Sequence, residues 1–287
     1  MAPWTGSHVL ITGGSSGIGE ALALQLAAAG ATLTLVARGE AGLRRVAEAA
    51  EAAAARADRA GAGTSPDDRP PAGTVACDVA DRDAVAAAVR GAVAERGPVD
   101  VLVCSAGITL PGRFLEADDA TFRSMMEVDY FGTLWPIREV APAMAARGSG
   151  SIVGVASAAA LVGVYGYSAY GGAKFAVRGL LESLRTELAP HGVHVGCVYP
   201  PDVDTPMLAA EEAHKPAETK AISGSIAPIP AAQVARAIVR GIERRQPEIY
   251  ADAQTRALAR TVATAPGIYR RLFDRRVRSV HRSATDG

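Results

Sequence analysis

Lysine is nearly absent. Of 30 lysines and arginines, only Lys174, Lys215 and Lys220 are lysine, and 27 are arginine. Where arginine is the default cation, a retained lysine marks a position that wants a compact ammonium, which a planar guanidinium does not imitate. Cysteine is scarce too. Cys77, Cys104 and Cys197 lie far apart in apolar runs, an odd number with no C-x-x-C. That argues against a disulfide framework and for reduced core thiols in a cytoplasmic protein. Net charge is missing, with 30 basic and 30 acidic residues, so nothing in the balance points to nucleic acid. The five histidines lack ligand spacing; His191 and His194 flank a turn and read as structural, so no metal is expected. No charged and apolar leader precedes the first strand, near His8, so no signal peptide is expected. A long apolar run is lacking as well. The uncharged stretch 148–173 is rich in Gly, Ser and Ala, and it reads as buried core and active site rather than as a membrane span.

What is present is an alternation of apolar runs and helical patterns. Val9-Leu10-Ile11 is a short buried strand. It enters Thr12-Gly13-Gly14-Ser15-Ser16-Gly17-Ile18-Gly19, and a helix follows through Leu22, Leu24 and Leu26 to Gly30. Glycines at 13, 17 and 19 permit a tight turn and a close backbone approach, and the helix start offers free N–H groups to phosphate. With a second strand at Thr32–Ala37, this context predicts a dinucleotide site. An acidic residue after that strand would hold the ribose of NAD. Here Arg38 stands instead, which favours the 2′-phosphate of NADP over the alternative of one more solvated arginine.

Further along, a helix is expected over 41–59, a surface loop over 60–73 and a third strand over Thr74–Val79. Asp78 then lies at the rim where an adenine could sit, or else caps the next helix, a task that suits Asp81 better. Helix 84–95 and strand 99–104 precede Cys104-Ser105-Ala106-Gly107, small residues against which a ring can pack. A long helix over 118–147 contains Asp129 and an internal Pro136, where a kink is expected. The sixth strand, 193–199, leads into a rigid loop through Pro200, Val203 and Thr205. Residues 205–230, with prolines at 216, 228 and 230, read as a substrate lid. Helix 231–245 and a short strand at 248–251 complete the domain. Continuous apolar strands alternating with helices predict an α/β, Rossmann-like fold: a doubly wound parallel sheet of about seven strands, one catalytic domain over 1–255. Residues 256–287 form a basic amphipathic tail. It is read either as lying on an anionic membrane or as packing on the domain with its arginines solvated.

The chemistry centres on 157–174. An apolar run ends at Ser157, and a helix opens near Ser168, a candidate N-cap, carrying Tyr170 and Lys174 one turn apart on one face. The ammonium is expected to lower the phenol pKa towards the range of an acid–base catalyst, with Ser157 holding a substrate oxygen.

Taken in order, Thr12–Gly19, Asp78, Ala106-Gly107, Ser157, Tyr170/Lys174 and Pro200–Thr205 resemble the short-chain dehydrogenase/reductase family over residues 8–251. The resemblance implies that Tyr170 protonates a carbonyl oxygen as hydride arrives. It implies that Lys174 lowers the pKa of Tyr170 and holds the nicotinamide ribose, that Ser157 binds the carbonyl, and that Thr205 contacts the carboxamide. The implied cofactor contacts are Gly13, Ser15, Ser16, Gly17, Ile18, Gly19, Arg38, Asp78, Val79, Ala106, Gly107, Tyr170, Lys174, Pro200, Val203 and Thr205. Asp129 stands where the family usually has an asparagine that holds a relay water to the lysine. The stretches 164–170, 175–180, 199–206 and 215–220 are similar to 3-ketodihydrosphingosine reductases. That similarity implies NADPH-dependent reduction of a long-chain lipid ketone, 3-ketosphinganine to sphinganine. Other lipid, steroid or polyketide-like ketones are the alternative within the class, and a non-catalytic NADP-binding sensor or scaffold is the alternative outside it. Family habit implies a homodimer or homotetramer, in the cytoplasm or peripheral at a membrane.

Overall fold

The computed structural model describes residues 4–60, 71–223 and 227–285. Its elements are β1 His8–Thr12, α1 Gly17–Ala28, β2 Thr32–Ala37, α2 Glu40–Arg59, β3 Ala72–Ala76, α3 Arg82–Arg96 and β4 Val101–Cys104. Then follow α4 Asp119–Met125, a π-helical segment Met126–Phe131, α5 Gly132–Arg147, β5 Gly150–Val155, α6 Ser168–Leu188 and β6 Val193–Val198. The last third holds β7 Val203–Asp204, α7 Pro206–Glu212, α8 Ala217–Ser223, β8 Ile229–Pro230, α9 Ala231–Glu243, β9 Glu248–Ile249, α10 Ala253–Thr264 and α11 Pro266–Thr285.

Seven strands form one parallel sheet in the order β3-β2-β1-β4-β5-β6-β9, as the pattern of apolar runs predicts. Such strands are buried on both faces, and β1 illustrates why no alternation is visible. Val9 and Ile11 pack with Leu22 and Leu26 of α1 and with Val234 and Ile238 of α9. Leu10 faces the opposite layer, with Val89 of α3, Ile137 and Met144 of α5, and Leu181 of α6. Burying each such side chain stabilises the fold by about 1.5–3 kcal/mol. The buried His8 ring of β1 is satisfied by Gly97 O at 2.8 Å and Thr34 Oγ1 at 2.9 Å, and burial lowers its pKa. His194 is likewise a core residue, its Nε2 2.9 Å from Gln246 O. All three cysteines are buried and free.

The sheet order reverses beside β1, whose neighbours are β2 and β4. The loops after β1 and β4 therefore open a crevice at the carboxyl edge of the sheet. Several boundaries differ from the sequence expectation. The third strand starts two residues earlier and ends three earlier, so Cys77 to Val79 lie in the loop beyond it. Asp81 does cap α3, accepting from the amides of Asp83 and Ala84. The interruption in the long helix is the π-helical segment 126–131, upstream of Pro136, which sits buried inside α5. Tyr167 takes the cap position of α6, and Ser168 is its first helical residue with no capping bond from Tyr167. The tail is built of two helices, α10 and α11. Most of the loop expected over 60–73 falls at 61–70, outside the described residues, as do 224–226 of the lid segment.

Candidate active site

The glycine turn comes first in the chain and forms one wall. Gly13 and Gly17 have positive φ, +68° and +56°, which glycine adopts without strain. A Cβ on Gly13 would lie 2.7 Å from the amide N of Ala106, so the turns after β1 and β4 touch backbone to backbone. Thr12 Oγ1 accepts from that same amide at 3.3 Å. Gly19 does not line the cavity; a Cβ there would strike the Gly13 carbonyl, so its task is close packing of α1 on the turn. The Ser16 hydroxyl makes no capping bond, which leaves the first amides of α1 open to an anion.

One cavity of about 1090 Å³ runs along the carboxyl edge of the sheet. It is lined by Gly13, Ser15, Ser16, Gly17, Ile18, Arg38, Asp78, Val79, Ala106, Gly107, Ser157, Tyr170, Lys174, Pro200, Val203 and Thr205. The structure thus brings together every residue singled out above except Gly19 and Asp129, which stand just behind the wall. Arg38 is exposed at one end. Asp78 accepts from the Ala80 amide at 3.0 Å, which fixes its carboxylate at the rim. Thr205 caps α7, accepting from Leu208 N at 3.3 Å, and its methyl abuts Gly17. A long apolar and polar trough with a free helix N-terminus at its centre, bare glycine backbone along one wall and a cation at one end fits a phosphorylated dinucleotide.

At the reacting end, α6 is drawn tightly to the sheet because Gly154 of β5 has no Cβ; one would meet Leu181 Cδ1 at 2.5 Å. That approach seats Lys174 in the interior, 4% exposed, where Nζ donates to Val155 O at 3.2 Å and stands 3.6 Å from Asp129 Oδ1. Asp129 is fully buried. Its Oδ1 accepts from Ile108 N at 2.9 Å, and Oδ2 has no partner among the described residues. Gly107 makes this pairing feasible, since a Cβ there would fall 2.7 Å from Asp129 Oδ1. Ser157 opens a short 3-10 turn, Ala158–Ala160, and accepts from Ala159 N at 3.1 Å.

The electrostatics correct one expectation. Tyr170 is held above the ordinary phenol range, not below it. Burial is the largest cause. Lys174 pulls against it, Asp129 adds to it, the Ser157 hydroxyl pulls down and Glu211 pushes up. Lys174 itself is disfavoured as a cation by burial, but Asp129 and Tyr170 outweigh that and leave its pKa raised, so the ammonium persists. Lys174 therefore does act on Tyr170 in the expected direction; Asp129 offsets part of that action.

Sequence reasoning missed the far wall. Asp202 and Glu211 line the cavity, and Glu211 accepts from Tyr167 OH at 3.0 Å. Both carboxylates pair with the buried Lys215, Glu211 at 3.0 Å and Asp202 at 3.8 Å, and Glu212 joins at 3.1 Å. The signal was available: Lys215 is one of three lysines, and it and Lys174 are the two that are buried. Part of the apolar wall comes from the tail, where Leu258 of α10 and Tyr269 and Phe273 of α11 join Val162, Met207, Leu208 and Ile229. Packing on the domain thus accounts for one face of the tail.

A family model described as short chain dehydrogenase matches residues 7–216. A 3-dehydrosphinganine reductase of Danio rerio is 40% identical over 236 residues, 82% of this chain and 68% of that protein. A 3-ketodihydrosphingosine reductase of Dictyostelium discoideum is 36% identical over 269 residues, 92% of this chain and 79% of the relative. Among solved structures, a short chain dehydrogenase from Burkholderia cenocepacia in complex with NADP superposes with a TM-score of 0.73 at 25% identity, covering 94% of this chain and 98% of the other. Levodione reductase gives 0.72 at 27% identity, covering 88% and 99%. With its crevice, its Ser/Tyr/Lys cluster and these relatives in view, the chain belongs to the short-chain dehydrogenase family and is an oxidoreductase.

Proposed function

We propose that this protein reduces the ketone of a long-chain lipid with NADPH, and that the ketone is C3 of 3-ketosphinganine. The observation that carries this reading is the shared cavity: Ser157, Tyr170 and Lys174 stand at one point of a trough that has a glycine turn on one side and an apolar wall on the other. The nicotinamide supplies the hydride. In this reading Arg38 and the first turn of α1 hold phosphate, and Asp78 and Val79 flank the adenine end. Val203 and Thr205 flank the carboxamide end, and Lys174 reaches the ribose. Ser157 donates to the carbonyl oxygen, and Tyr170 gives that oxygen its proton. The raised phenol pKa suits this direction, because reduction needs Tyr170 protonated at neutral pH. The lid, 205–230, and the tail form the substrate side.

Two features support the amino-ketone over a plain one. The relatives at 40% and 36% identity carry reductase names of this type. In addition, Asp202 and Glu211 line the cavity beside Tyr167, whose ring lies 5.8 Å from that of Tyr170. A 3-ketosphinganine carries an ammonium on the carbon next to its ketone, and a carboxylate there complements it. The test is turnover of 3-ketosphinganine against a chain-matched ketone without the amine, both in mixed micelles. We expect kcat/KM to favour the amino-ketone by about tenfold or more, as a charge-assisted contact requires. Equal or better turnover of the plain ketone would replace this substrate with another lipid, steroid or polyketide-like ketone.

A further inference from the structure

Charge is distributed very unevenly along the chain. Residues 256–287 hold eight arginines against two aspartates, an excess of six positive charges in a chain that is neutral overall. The other residues therefore carry six net negative charges. Within α11 the arginines are sorted by face. Tyr269, Phe273, Val277 and Val280 recur at helical spacing and are partly buried, and Tyr269 and Phe273 line the catalytic cavity. Arg271 and Arg275 lie on the opposite side, Arg270 flanks the apolar stripe, and all three are exposed. The helix that walls the cavity thus turns a cationic face outward.

An apolar rim adjoins it. A groove between α11 and the start of α6 shares Val164, Tyr167 and Phe273 with the catalytic cavity, and Phe175, 43% exposed, stands in it. The loop before α4 is pinned to this groove. Gly112 N donates to Gly166 O at 2.8 Å, and Arg113 donates to Glu218, which also accepts from Tyr165 of the groove at 3.2 Å. At the tip of that loop Phe114 is 65% exposed and Leu115 93% exposed. Large apolar side chains held out at that exposure beside a cationic helix match the layering of a bilayer interface: phosphates for the arginines and the acyl boundary for the apolar tip.

We propose that this face, the arginine side of α11 with the Phe114–Leu115 loop, docks on an anionic phospholipid bilayer and sets the groove against the membrane. A long-chain ketone then passes from lipid to cavity without crossing water. This deepens the lipid-ketone reading and rests on it for its purpose, but its test does not need turnover. The full chain is sedimented with vesicles of phosphatidylcholine alone or of phosphatidylcholine mixed with phosphatidylglycerol, at low and high salt. Expected is binding to the mixed vesicles only, reversed by salt. Replacing Arg270, Arg271 and Arg275 together by Glu should weaken it about tenfold or more. Phe114→Ser with Leu115→Ser should weaken it several-fold, while both variants keep the wild-type rate on micellar substrate. Absence of binding at low salt, equal binding to uncharged vesicles, or unchanged binding in the arginine variant overturns the proposal. So does an arginine variant that changes oligomeric state and leaves vesicle binding intact, since the face would then be a subunit interface. Loss of micellar turnover in the wild type, with vesicle binding intact, counts against the reductase reading and not against the docking face.

Discussion

Asp129 sets the local charge at the reacting end. It stands 3.6 Å from the only ammonium near Tyr170 among the described residues, and its negative charge is one cause of the raised phenol pKa. Reduction uses the phenol and alcohol oxidation uses the phenolate. Under the proposed mechanism a raised pKa would preserve reduction through neutral pH and confine oxidation to alkaline pH. Asp129→Asn keeps an acceptor for the Ile108 amide but removes the charge. The alkaline limb of the oxidation profile should move to lower pH, read from kcat/KM for the alcohol across pH; an unmoved profile would mean that Tyr170 does not sense Asp129. Arg38 is the other single residue with a sharp consequence. Arg38→Glu should cost about tenfold or more in kcat/KM for NADPH, the scale of a lost charge-assisted contact, and leave NADH nearly unchanged. Equal losses for both cofactors would show that Arg38 does not read the 2′-phosphate.

Among the elements, α7 and the turn that follows it are tied to the site by a cluster of charges. Lys215 sits between Glu211, Glu212 and Asp202 with its side chain 4% exposed. Lys215→Met strips the cation from a mostly buried carboxylate cluster. The expected cost is about 1–3 kcal/mol, less than for a fully buried pair because Glu212 is half in water. Hydrogen exchange should rise across 206–223, KM for the ketone should rise, and NADPH affinity should hold. Uniform destabilisation of the whole chain would contradict a local latch. These elements also mark where the sequence was legible. The strands showed plainly, because unbroken apolar runs such as Val9–Ile11 have few other folded uses, and Tyr170 and Lys174 declared themselves by spacing. The π-helical turn that presents Asp129 did not, since nothing in Met126–Phe131 departs from an α-helical pattern. Nor did the pairing of Lys215 with Asp202, thirteen positions away and settled only by how β7 and α7 turn. Burial decides the sign of the Tyr170 shift, and burial is a property of the packed chain.

At the scale of the molecule, the family match ends at residue 216, yet the cavity is closed by residues up to 273. The cavity thus extends past the family core, with its last lining residues, Tyr269 and Phe273, supplied by the tail. Removing residues 266–287 deletes α11 and with it Tyr269 and Phe273. NADPH binding should survive, while KM for a long-chain ketone should rise about tenfold, as expected for losing apolar contact worth a few kcal/mol at most. An unchanged KM would place the acyl chain elsewhere. The central claim is that Tyr170, set between Ser157 and Lys174, donates the proton in an NADPH-dependent reduction of a lipid ketone. The most direct measurement is NADPH oxidation with 3-ketosphinganine in mixed micelles, for the wild type and for Tyr170→Phe, with NADH as competitor. Expected is turnover that prefers NADPH and falls by about a hundredfold or more in the variant, the usual contribution of a positioned acid, with NADPH affinity retained. Turnover that survives in Tyr170→Phe would contradict it.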